Sequence, residues 1–178
     1  MRDERFQARL PAASTEADRT RVAAELSHAG VARLDDAERL GLFEVRRAMA
    51  NESPELCAGL WTGSLPPELL GAGLRGLDEK QQLVWIELSA RAVAVELAAA
   101  SPPPHVKAAA RDAAFGELLA RMPPAEREAF QRVVLGADRT PEGACRAFKA
   151  AGDAMGLVSP GARNVILRAG SNAELVDP

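Results

Sequence analysis

The sequence predicts an all-α protein, a single irregular bundle of about seven to nine helices with a central two-faced helix near 78–100. Three observations carry this. Helix-start signals recur along the chain: Ser53-Pro54-Glu55, Thr140-Pro141-Glu142 and Ser159-Pro160 each set a capping hydroxyl before a proline, whose missing N–H costs nothing in a first turn. Helix stops recur as well, at Gly30, Gly63, Gly76, Gly136, Gly156 and Gly170, each able to take a left-handed cap. Between these marks the apolar spacing follows the helical period, and no alternating β-branched run lies between turn signals.

Read in order, the helices fall near 15–29, 36–50, 54–62, 67–74, 78–100, 104–121, 124–135, 141–155 and 160–169. The second opens on acidic Asp35, Asp36 and Glu38, which complement a helix dipole, with Asp36 as the expected cap. The third and fourth open on Pro54 and Pro67, and Gly71 and Gly73 weaken the fourth. The fifth, capped by Asp78, is apolar on two sides. Leu83, Ile86, Ala90, Val93, Ala94 and Leu97 form one face, and Val84, Leu88, Ala92 and Val95 form another. Two apolar faces call for neighbours on two sides, which places this helix at the centre. Glu87 and Arg91 lie between the faces at i, i+4 and are expected to form a buried ion pair. The proline corner 101–104 leads into an alanine-rich sixth helix, suited to close packing. Pro123-Pro124, Thr140-Pro141 and Ser159-Pro160 start the last three. The halves on either side of the corner are each too small for a comfortable core. The expectation is therefore one domain over 1–178, frayed near 1–12 and 171–178.

Composition narrows the function. A net charge of −3 gives no basic field for a phosphate backbone, and only 4% of residues are aromatic, so no nucleic-acid partner is expected. The apolar stretches fall well short of the roughly 20 residues of a membrane span. Arginine far outnumbers lysine, which fits a high-GC, bacterial-like genome. From Met1 to Leu10 the chain lacks the apolar core of a secretory signal. That favours a cytoplasmic protein if the chain is complete, and an exported one if a leader has been removed and Cys57 and Cys145 are bridged. Cys57 with Leu60 and Trp61, and Cys145 with Phe148 and Met155, lie on apolar helical stripes. Two buried, reduced thiols are the favoured reading, with a long-range disulfide as the alternative.

No motif carries chemistry. His28 and His105 are far apart without metal-ligand spacing, so neither a metal nor a cofactor is expected. Gly71-Ala72-Gly73-Leu74-Arg75-Gly76 fits the dinucleotide glycine pattern only by chance, since no strand precedes it. The candidate partner-binding residues are Trp61 and Trp85, large anchors near polar positions, and the basic doublet Arg46-Arg47, able to meet Glu44, acids on another helix or an acidic partner. The expectation is a non-catalytic protein–protein interaction protein: an adaptor, inhibitor, immunity-type or regulatory subunit with another protein as partner. The alternatives are a helical binder of a small apolar ligand, and an enzyme whose Glu, Arg and Asp converge only in the fold.

Overall fold

The computed structural model describes residues 15–63, 65–101 and 105–170. Among these it contains nine α-helices, 77% helix and no strand. They are α1 (Glu16–Val31), α2 (Asp36–Met49), α3 (Pro54–Thr62), α4 (Pro67–Arg75), α5 (Glu79–Ala98), α6 (Ala108–Arg121), α7 (Pro124–Val134), α8 (Pro141–Met155) and α9 (Pro160–Ala169). The ends near 1–12 and 171–178, where fraying is expected, lie outside the described residues.

Local chemistry sets the boundaries. Ser53, Thr140 and Ser159 accept from the backbone N–H groups of Leu56, Gly143 and Ala162. Asp78 accepts from Gln81 at 2.7 Å. The cap of α2 is Asp35, not Asp36. Asp35 accepts from the Glu38 N–H, the Glu38 side chain accepts from the Asp35 N–H, and Asp36 is already helical. Helix α6 begins at Ala108 rather than 104, because Lys107 is still extended. Of the glycine stops, only Gly63 and Gly136 are left-handed, both with φ 71°. Gly76, Gly156 and Gly170 close their helices in the right-handed region. Gly30 is no stop at all. It lies inside α1 where that helix crosses α5, and a methyl group there would overlap the Ala92 carbonyl.

The centre of the bundle is α8, not α5. In α8, Ala144, Cys145, Ala147, Phe148, Ala150, Ala151, Gly152, Ala154 and Met155 are all buried. Its exposed residues after the first turn, Arg146, Lys149 and Asp153, share one stripe. Helices α3, α6 and α7 pack around it. Helix α5 lies outside, against α1 and α2. Its inner side carries Val84, Trp85, Leu88, Ala92 and Val95, while Leu83 and Ile86 are 60% and 62% exposed. The expected two-sided burial fails because, among the described residues, α5 has neighbours on one side only. Glu87 and Arg91 are correspondingly exposed rather than buried, and Arg91 pairs with Glu38 of α2. The ion pair with little solvent on this helix is Glu96 with Arg33, at 2.6 Å.

Contacts cross the proline corner freely: α3 packs on α8, and α2 on α9. Arg47 of α2 pairs with Asp153 of α8 at 2.7 Å, and Arg146 of α8 with Glu126 of α7 at 2.9 Å. Glu117 of α6 accepts from both the backbone N–H and the hydroxyl of Ser159, which hold its carboxyl below the ordinary range.

Cys57 of α3 and Cys145 of α8 form a disulfide, with Cα atoms 5.0 Å apart and a sequence separation of 88. This corrects the expectation of two reduced thiols. The two apolar stripes do meet, in a cluster with Ala50 and Phe148, and that brings the sulfurs within bonding reach. Closing so long a loop contributes roughly 4–5 kcal/mol in the chain-entropy model.

Two expectations follow. Phe148→Ala in α8 should cost about 3–5 kcal/mol, whereas Ile86→Ala on the outer side of α5 should stay within about 0.5 kcal/mol; urea midpoints of the two variants compare them directly. A thiol-reagent titration of denatured protein should find no reactive thiol without reductant and both after reduction.

Candidate functional site

Helices α2, α3, α6, α7, α8 and α9 enclose a cavity of about 260 Å³ beside α8. Its walls are apolar and aromatic. Phe43 (α2), Trp61 (α3), Phe115 (α6), Phe130 (α7) and Phe148 (α8) all line it. The whole chain has only 5 Phe and 2 Trp, so most of its aromatic surface converges on one space. The rings meet edge to face: Trp61 on Phe130 at 5.6 Å, Trp61 on Phe148 at 6.5 Å and Phe43 on Phe148 at 5.9 Å. This geometry suits ring quadrupoles and leaves little freedom to collapse inward. Leu42, Leu60, Leu118, Ala151, Met155 and Ile166 complete the floor. A 150 Å³ apolar cavity holds a six-carbon ring, so this one has room for about ten non-hydrogen atoms.

The disulfide braces one wall. Phe43, Leu60, Trp61 and Phe148 pack around Cys57–Cys145 and also line the cavity. The bond therefore fixes α3 against α8 where the aromatic residues of the two helices face each other.

Among the described residues two charged side chains line the cavity, Arg39 and Arg46, two turns apart on α2. Arg39 is 5% exposed. Its Nη1 donates to the carbonyls of Ala32 and Leu34, and its Nη2 to Asp36 at 2.5 Å and Asn164 at 2.9 Å. Burial lowers its pKa, opposed by the Asp36 carboxylate. Its Nε is buried and has no partner. Arg46 is half-buried and makes no hydrogen bond or ion pair among the described residues, and desolvation alone lowers its pKa. Arg46 also acts on His28 at the end of α1. His28 keeps solvent contact, yet crowding by the protein and, second, the Arg46 charge hold its imidazole below the ordinary 6.5.

The candidate residues read from sequence separate into different settings. Trp61 and Arg46 come together at the cavity. Arg47 does not join them, since it is paired with Glu44 and Asp153. Trp85 is half-buried between α5 and the Met49–Leu56–Leu77 cluster, away from the cavity lining. Glu87 and Arg91 lie on the outer surface. Arg39 and the four phenylalanines were not singled out from sequence. An arginine at i+7 from another on the same helix is a usable signal, but phenylalanines on four separate helices converge only in three dimensions. The glycine pattern at 71–76 falls in and just after α4, where Gly73 packs under Leu56 and Met49. Among the described residues no group of three His, Cys, Asp or Glu side chains is placed to hold a metal, and no helix is long and apolar enough to cross a membrane. Comparison with protein-family models, curated proteins and solved structures finds no match to this chain.

The His28 environment is testable. An NMR pH titration should place His28 below 6.5, and Arg46→Gln should raise the value without restoring it, because burial is the larger cause. The sign for stability follows: with the folded value below the unfolded one, protonation disfavours the folded state, so this contribution weakens stability as pH falls through 6.5.

Proposed function

We propose that this protein is a non-catalytic binder of a small apolar ligand held in the aromatic cavity beside α8. The observation that carries this reading is the convergence of five aromatic side chains from five helices on about 260 Å³ of space. A lining dominated by apolar and aromatic side chains, with a few polar groups, accepts apolar guests. The lining supports binding rather than chemistry: among the described residues it contains no Asp, Glu, His, Ser or Cys to act as base or nucleophile. The Cys57–Cys145 bond supports an oxidising compartment, and with it export, as the setting.

A second reading, a protein–protein interaction module, draws on the outer face of α5. Leu83 and Ile86 there are 60% and 62% exposed, with Ala90 and Ala94 exposed beside them. It uses neither Trp61 nor the cavity.

Calorimetric titration with 1-octanol tests the cavity reading. The wild-type protein should bind one equivalent. Ala151→Leu, which projects a larger side chain into the same space, should weaken binding at least about tenfold, a loss of 1.4 kcal/mol or more, while the helical circular-dichroism spectrum is kept. Equal affinity in both proteins would place the octanol elsewhere and refute the assignment.

A further inference from the structure

We infer that the ligand is an amphipathic anion, an apolar body of about ten non-hydrogen atoms ending in a single carboxylate that docks on the Arg46 guanidinium. This rests on the reading of the cavity as a ligand site and adds the chemical class of what fills it.

The argument starts from charge. Among the described residues, the ionisable side chains on the cavity wall are arginines, and no carboxylate lines it to neutralise them. The two arginines are in unlike states. Arg39 is a structural cation. Its Nη atoms are used by Ala32, Leu34, Asp36 and Asn164, and these tie the turn after α1 to α2 and α9. Arg46 has no such role, with no hydrogen bond or ion pair among the described residues. It sits in the last turn of α2, where helix carbonyls favour a cation. That supports a positive charge at the site but leaves the donors of the guanidinium unused.

A cation partly withdrawn from water without a partner is destabilised, and an anion that meets it in good geometry offsets this. Guanidinium presents a planar fork that matches a carboxylate in two parallel hydrogen bonds. Among the described residues, the other side chains of the lining, from Phe43 to Ile166, are apolar apart from Arg39, whose Nη atoms are already used. The chemistry that fits is one charged end at Arg46 and an apolar body among the phenylalanines.

The probes are octanoate, 1-octanol and octylammonium, which share one alkyl chain and differ at its end. By calorimetry on the intact, oxidised protein, octanoate should bind at least about tenfold more tightly than 1-octanol, as expected for a charge-assisted hydrogen bond in a partly desolvated site. Octylammonium should be the weakest. In Arg46→Gln the octanoate-to-octanol ratio should fall to near one, and Arg46→Lys, which keeps the charge, should retain a preference for octanoate. Equal binding of octanoate and octanol by the wild type would overturn the anion assignment and leave the apolar-ligand reading standing. A preference that survives Arg46→Gln, or tighter binding of octylammonium, would also overturn it. Binding of none of the three would defeat the ligand reading along with it.

Discussion

Helix α8 reaches the middle of the bundle because its sides are alanine and glycine. At Ala144, Ala147, Ala150, Ala151, Gly152 and Ala154 the neighbouring helices approach a nearly bare backbone. Close approach maximises dispersion contacts along the whole helix, although each side chain contributes little apolar area of its own. Larger residues at these positions would push α3, α6 and α7 outward, except at Ala151, where the cavity gives room. Gly152 already meets the Arg47 side chain closely enough that a Cβ there would force it to shift. The disulfide then locks α3 onto α8, and the Arg47–Asp153 and Arg146–Glu126 pairs tie α2 and α7 to its exposed stripe.

The cavity is a consequence of this construction. Alanines on α8 leave room that the facing helices fill with long side chains, Phe43, Phe115, Phe130 and Trp61. Phe43, Trp61, Phe130 and Phe148 pack edge to face along the cavity wall, with centroids 5.6–6.5 Å apart. The space left is apolar except where α2 contributes arginine. Of the two that line the cavity, Arg39 is consumed in holding the fold together, and Arg46 is left with its donors unused.

Helix positions were legible in the sequence because start and stop chemistry is local: Ser53, Thr140 and Ser159 cap where expected, and the observed helices follow the expected ones closely. The layering was not legible. Large apolar residues on two sides of 78–100 suggested a central helix, yet Leu83 and Ile86 face outward. Burial depends on which helices come alongside, and a helical wheel has no access to that. The same limit hid the true centre, where small residues rather than large ones mark close packing. Gly30 illustrates it again, since its value lies in the crossing with Ala92, 62 residues further along the chain, not in a turn. At the cavity, Trp61 and Arg46 stood out in sequence as a large anchor and a basic residue among apolar neighbours. Arg39 and the convergent phenylalanines required the fold. The cysteine stripes were visible, and their meeting was not.

The central claim is that α8 is the axis on which the other helices depend. Native-state hydrogen exchange measures this helix by helix. Interior amides of α8, from Ala147 to Ala154, should exchange only through global unfolding, with the full dependence on denaturant. Those on the outer side of α5, around Ile86 and Ala90, should exchange through smaller openings at lower free energy. If α5 instead carries the slowest amides and α8 opens first, α8 is not the axis and the architecture described above is wrong.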